Sequence, residues 1–268
     1  MTKLIVYLIC MINSALNIVY ASDDFMKLDE ALPNDMYDQI QSIAPVFDFD
    51  TDGCLPSAGI SKDGKQNSGI YPSVGDSLGK DCRMNNFLDT SNTLHRYVCI
   101  SNHSDQYCAH FFALYFKKDQ IINDIGGGHR HDWEYAAVWT KNNQVTHGSY
   151  SAHGELITRE IGQIPTINNH IMIVYHKEGA LTHAMRFAKT NETNETNETA
   201  ENPYGRFVTP TIVSWYQIHG DDQHDNKTMH HLLNTFNYDH AVIPMRDDNF
   251  LANVNQFKPE GYPVFLED

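Results

Sequence analysis

Basic side chains are scarce: 19 Lys and Arg stand against 34 Asp and Glu in 268 residues, a formal charge of -15. So acidic a chain is repelled by phosphodiester backbones, which excludes nucleic acid, and charge alone cannot hold it on anionic lipid. Contact with an anionic surface would need a divalent cation or a local basic patch as intermediary. Tryptophan is sparse as well, at Trp133, Trp139 and Trp215 only. The H-E-x-x-H spacing of metallopeptidases is absent, no Ser or Cys stands in a recognisable nucleophile setting, and no C-x-x-C pair marks a zinc cluster. Beyond the first twenty residues no apolar run approaches the length that crosses a bilayer.

That first segment places Lys3 before an apolar stretch from Leu4 to Tyr20, broken by Asn13, Ser14 and Asn17, and ends in small residues around Ala21. The pattern predicts a removed signal peptide over 1–21, with an uncleaved anchor as the alternative, and hence an extracellular protein. Of five cysteines, Cys10 falls in that segment. The four that remain, Cys54, Cys82, Cys99 and Cys108, allow three pairings in an exported chain, and the sequential one, Cys54 to Cys82 and Cys99 to Cys108, is expected. Five N-x-S/T acceptors, at Asn102, Asn191, Asn194, Asn197 and Asn226, point to a secretory route and surface positions.

From Val46 onward short runs such as Phe111 to Phe116, Tyr135 to Trp139, Ile171 to Tyr175 and Val208 to Trp215 alternate with Gly- and Asn-rich turns. Runs of four to eight residues rich in β-branched and aromatic types are strands. The expected fold is mainly β, a single-domain β-sandwich over 46–268 with peripheral helices, preceded by a partly helical N-terminal extension over 22–45. Helical spacing marks Met229 to Phe236 and Asn249 to Phe257, with Asp247 or Asp248 as a cap for the latter. The threefold Asn-Glu-Thr repeat over 190–199 has no apolar side chain and reads as a solvated loop.

Chemistry concentrates in Gly126-Gly127-Gly128-His129-Arg130-His131-Asp132-Trp133-Glu134, which runs into the strand Tyr135 to Trp139. Alternate side chains of an extended segment share a face, so Asp132 and Glu134 point the same way and His131 and Trp133 the other, into packing. His129, at the turn, can swing toward the carboxylates, and Asp119 stands just before the loop. Three carboxylates and one imidazole suit a hard divalent cation, Mg²⁺ or Ca²⁺; a surface ion-pair cluster is the alternative. The aspartates of Asp48-Phe49-Asp50-Thr51-Asp52-Gly53 open like an EF-hand loop, but its twelfth position, where a bidentate Glu should stand, is Gly59. What remains there is a partial second cation site at Asp48, Asp50 and Asp52, or a plain aspartate-rich turn.

The string Gly128 to Glu134 resembles the heptapeptide signature of the Nep1-like, necrosis-inducing proteins. The resemblance extends through Asp52-Gly53-Cys54, Tyr115 to Asp119, Ser151-Ala152-His153-Gly154, Tyr175 to Gly179 and Thr182-His183, covering about Phe47 to Phe187. It implies an actinoporin- and lectin-like sandwich whose cation is held by Asp119, His129, Asp132 and Glu134. It also implies a secreted, monomeric cytolysin and immune elicitor, acting by membrane engagement and not by turnover. Its target would be the glycosylated inositol phosphorylceramide sphingolipids of plant plasma membranes. The cysteine pair Cys99 and Cys108 resembles the type 2 branch. With Trp133 and Trp139 read as internal, Tyr204, Phe207, Trp215 and Tyr216 are the aromatic candidates for membrane or glycan contact. A non-cytolytic elicitor and a metal-dependent hydrolase are the competing functions; His153, His176 and His183 read as packing or hydrogen-bonding residues.

Overall fold

The computed structural model describes residues 25–190 and 196–266, so the expected signal peptide and the sequons at Asn191 and Asn194 lie outside the described residues. Ten strands and three helices follow in chain order: α1 (Tyr37–Ile43), β1 (Val46–Phe49), β2 (Asn92–Asn102), β3 (Asp105–Ile122), β4 (Gly126–Lys141), β5 (Gln144–Ala152), β6 (Glu155–Glu160), β7 (Thr166–Ile167), β8 (His170–Lys177), β9 (His183–Phe187), β10 (Thr211–Ser214), α2 (Asn226–Thr235) and α3 (Phe250–Phe257). One sheet has six strands in the order β10-β2-β3-β4-β5-β6, antiparallel from β2 to β6. In the other, β8 pairs parallel with β1 and antiparallel with β7 and β9. The expected mainly β sandwich is what the chain forms.

The continuous apolar run Phe111 to Phe116 follows from burial on both sides. Phe112, Leu114 and Phe116 pack with Phe47, Phe49, Ile173 and Tyr175 between the sheets. Phe111, Ala113 and Tyr115 pack outward against a layer made by the C-terminal third, including Met229, Leu233, Phe250 and Val254 of α2 and α3. A strand covered on both faces needs no polar alternation.

Both disulfides have the sequential pairing, Cys54 with Cys82 and Cys99 with Cys108. Several expectations need correction. The stretch taken as an extension is part of the fold from residue 25 on: Leu28, Ile40 and Ile43 are core residues, and the Leu28 amide donates to Asn92 Oδ1 at 2.9 Å. Only Thr211–Ser214 of the run Val208 to Trp215 is a strand. Helix α2 starts at Asn226 with Asp225 as its N-cap, accepting from the Thr228 amide, whereas Asp247 caps nothing and binds Arg96 instead. The amide of Asn226 donates inward to the Trp215 and Ile218 carbonyls, so this sequon is spent on helix packing; Asn102 and Asn197 are exposed.

His95 on β2 and His110 on β3 form a fully buried pair, Nε2 to Nδ1 at 3.2 Å, stacked beside Tyr97 and Phe112. The other nitrogen of each ring has no hydrogen-bond partner among the described residues. Burial therefore holds both neutral, with His110 pushed down to about 3 and His95 well below its ordinary value. A histidine near 6.5 in the unfolded chain binds its proton there first, so this contribution is complete above pH 6.5 and erodes as pH falls toward 3. The stability advantage of the native chain over His110→Gln, read from urea unfolding, should shrink by roughly 1.4 kcal/mol per pH unit below 6.5. An advantage independent of pH would rule this out.

Candidate functional site

The β3–β4 hairpin sets Asp119 opposite His129, Phe116 opposite Asp132 and Leu114 opposite Glu134. On a regular strand His129 and Asp132, three residues apart, would face opposite ways. Between them His131 adopts φ 65°, in the left-handed region, and the alternation changes phase there. Asp119, His129 and Asp132 consequently meet, each offering one ligand atom within 4.8 Å of the others. His129 is thus fixed inside β4 and is not the free turn residue the sequence suggested.

Each member is held by a neighbour. The Nδ1 of His129 donates to the His131 carbonyl at 2.6 Å, which leaves the Nε2 lone pair on the side of Asp119, 3.7 Å from Oδ2. Tyr175 donates its hydroxyl to Asp132 Oδ2 at 3.0 Å, and Ser151 donates to Glu134. Asp119 accepts from the backbone amide of His183 at 3.0 Å and from its Nδ1 at 2.7 Å. The Nε2 of His183 meets the carbonyl of Asp52 at 2.9 Å, and since a carbonyl only accepts, both ring nitrogens donate. Burial disfavours that imidazolium, but the bond to Asp119 and its charge outweigh the penalty and raise the pKa of His183. His131 instead turns into the outer core, where its Nδ1 meets Tyr115 Oη at 2.5 Å, and Trp133 packs beside it, as expected.

Glu134 lies beyond the tight group but lines the same pocket of about 350 Å³, along with Ser151, His153 and His183. Burial pushes the Asp132 carboxyl well up, and the charge of Asp119 pushes it further. Glu134 is raised by burial and by Asp132. Buried carboxylates that raise one another stay ionised only beside positive charge. One imidazolium faces three carboxylates, and the deficit is that of a divalent cation. Carboxylate oxygens with one imidazole nitrogen, in a pocket wide enough for water to complete the shell, fit Mg²⁺ or Ca²⁺.

Other expected residues do not converge. Asp48 is buried, with its carboxylate taken by the amides of Glu201 and Asn202; Asp50 faces Arg186 at 3.4 Å; Asp52 accepts from the Lys177 amide. The three carboxylates hold separate parts of the chain, β8, β9 and the segment at 201–202, and among the described residues only Asp119, His129 and Asp132 gather as a metal-binding group. Trp215 is 1% exposed, stacked on His230 and bonded to Asp247, so it cannot touch a membrane. Phe207 is half-buried against Met172 and Val174, while Tyr204 and Tyr216 keep part of their rings in solvent, the former against Phe87. The positioning roles of Tyr175 and Ser151 were not read from the sequence, and His183, read as a packing or hydrogen-bonding residue, bonds to Asp119 itself. A tyrosine hydroxyl at the end of an apolar strand requires a buried partner, and for Tyr175 that was the available signal.

Comparison with known proteins agrees with this architecture. The family described as necrosis inducing protein (NPP1) matches residues 38–257. The chain is 25% identical over 206 residues to "Necrosis-inducing protein NPP1" of Phytophthora nicotianae, covering 76% of each. It superposes on the non-toxic HaNLP3 protein with a TM-score of 0.68 and 21% identity, over 90% of this chain and 100% of that one. NLPPya, solved in complex with glucosamine, gives 0.65 at 18% identity over 86% and 95%. The two disulfides fit the type 2 branch. With the signature heptapeptide on β4, the toxin-type sandwich and a match over most of its length, the chain belongs to the necrosis-inducing protein (NPP1) family.

Proposed function

We propose that this protein is a secreted cytolysin that uses a divalent cation, held by Asp119, His129 and Asp132 with Glu134 in the same pocket, to dock on sphingolipid head groups of plant plasma membranes. The observation that carries the reading is the buried acidic pocket, in which Asp119, His129 and Asp132 each bring a ligand atom within 4.8 Å of the others and Glu134 lines the same space, with the His183 ring bonded to Asp119. Bound there, the cation supplies a positive point that an anionic or hydroxyl-rich head group can complete, and it resolves how so acidic a chain approaches an anionic surface. The protein's own groups orient the donors: Tyr175 fixes Asp132, His183 fixes Asp119, and the His131 carbonyl fixes the His129 ring. A related chain solved in complex with glucosamine, and others named effectors of Phytophthora capsici, support a sugar-bearing plant target and export. Binding without turnover accords with the spent hydroxyl of Ser151 and the doubly engaged His183.

The test is dye release from vesicles containing glycosylated inositol phosphorylceramide. Release with Mg²⁺ or Ca²⁺ that chelator stops is expected. No release from the folded, cation-loaded protein would favour the second reading, a non-lytic elicitor, which the fold likeness to a non-toxic protein and the burial of Trp215 also favour. Cation-dependent chemical breakdown of the lipid would instead establish a hydrolase.

A further inference from the structure

The end of the hairpin beyond the cation ligands is built inside out. At its heart are polar side chains: Lys118 and Gln120 are each 1% exposed. Lys118 Nζ donates to the Ser77 carbonyl at 3.0 Å and to Gln120 Oε1 at 2.8 Å, and Gln120 Nε2 donates to the carbonyls of Asp76 and Ile122. These bonds tie the 71–78 loop to the hairpin, and two backbone bonds, Gly75 to Asp124 at 2.7 Å and Asp124 to Asp76 at 2.9 Å, complete the join. Apolar side chains take no part in this anchoring and point to solvent: Val74 is 83% exposed, Tyr71 65%, Ile125 64% and Ile122 46%. The nearby carboxylates are engaged, Asp76 by Lys80 and Asp124 by Asn123.

We infer that Tyr71, Val74, Ile122 and Ile125 form a lipid-inserting wedge that seats this end of the molecule in the interface of a bilayer. The inference rests on the cation-docking reading and extends it to the hydrocarbon boundary. Grouped apolar side chains on a loop end whose own interior is polar gain nothing from the fold and lose free energy in water. The occupant is a lipid surface because of continuity with the pocket. The ladder passes from Asp119 and His129 to Gln120 and Gly128 and then to Ile122 and Gly126, so Ile122 stands about 10 Å along the hairpin from the cation ligands, and Tyr71 lies nearer to them, against Arg130. A head group on the cation and acyl chains at the wedge can be met by one membrane at once. Arg130, next to His129 on β4, holds its guanidinium 4.5 Å over the Tyr71 ring.

The wedge is tested with the mature full chain and phosphatidylcholine vesicles with and without glycosylated inositol phosphorylceramide. In Ile125→Cys, labelled with an environment-sensitive dye, emission should shift to the blue on adding sphingolipid vesicles and Ca²⁺. The exposed double variant Val74→Asp/Ile125→Asp should keep its cation affinity and melting temperature and bind those vesicles about tenfold or more weakly. If the native chain and the double variant bind equally and the dye stays in water, the wedge is wrong while head-group docking stands. If the native chain binds cation yet no vesicle of either composition, both ideas fail.

Discussion

Asp132→Asn should abolish cation binding while leaving the protein folded and, without cation, more stable than the native chain at neutral pH. The side chains are nearly isosteric, and the hydroxyl of Tyr175, 3.0 Å from Asp132 Oδ2, can still donate to the remaining oxygen. What disappears is a buried charge pushed up by burial and by Asp119. A carboxyl whose folded pKa is raised contributes stability below its unfolded value that is lost as pH rises through the folded one, so at neutral pH its removal relieves the cation-free protein. Cation reverses the order. At a hundredfold excess over its dissociation constant a ligand stabilises by about 2.7 kcal/mol, roughly 5 to 10 °C in a domain of this size. The native chain should show that shift with Ca²⁺ or Mg²⁺ and the variant should show none, with affinity by calorimetry down about a hundredfold or more. An equal shift in both would remove Asp132 from the site.

The second large effect is expected from a residue with no side chain. At Gly128, φ is 96°, and an added Cβ would lie 2.0 Å from the carbonyl oxygen of Asp119, a backbone atom that cannot swing aside. Gly128→Ala must therefore spread β3 from β4 at the pair next to Asp119 and His129. The backbone conformation alone costs an L-residue about 1 to 2 kcal/mol and the displacement adds to it, so a loss of roughly 3 kcal/mol or more in unfolding free energy is expected. Cation binding should fall with it, because both ligands of the pair move. Gly154→Ala, where the added Cβ meets nothing within 4 Å but φ is 85°, serves as the control for conformational strain alone. If the two variants lose equally and Gly128→Ala still binds cation, the close approach is not what selects glycine.

Much of this was legible in the sequence, and the failures share a cause. The short apolar runs Phe111 to Phe116 and Tyr135 to Trp139 and the same-face placement of Asp132 and Glu134 follow from rules that act over a few residues, and the cysteine pairing from sequential order. The meeting of His129 with Asp132 depends on one left-handed backbone angle at His131, which residue type does not dictate. Trp215, at the end of an apolar run, reads as a candidate for membrane contact, yet α2 and the loop carrying Asp247 cover it from later in the chain. Asp48, Asp50 and Asp52 have cation-ligand spacing, but Lys177 of β8, Arg186 of β9 and the segment at Glu201 claim them first. Partners remote in sequence decide such cases, and a local pattern does not name them.

The parallel pairings of β1 with β8 and of β10 with β2 also fix the order in which the molecule can be assembled. A chain emerging N-terminus first can close the β2–β3 hairpin and the Cys99–Cys108 bond, nine residues apart, almost at once. Its first strand must wait for Val46 to find Met172, and β2 keeps one edge open until Thr211 arrives at Asn92. Until then β1 and part of β2 lack their mates, a state that invites pairing with other chains. Long-range closure of this kind is slow, and the early crosslink holds β2 and β3 together through the delay.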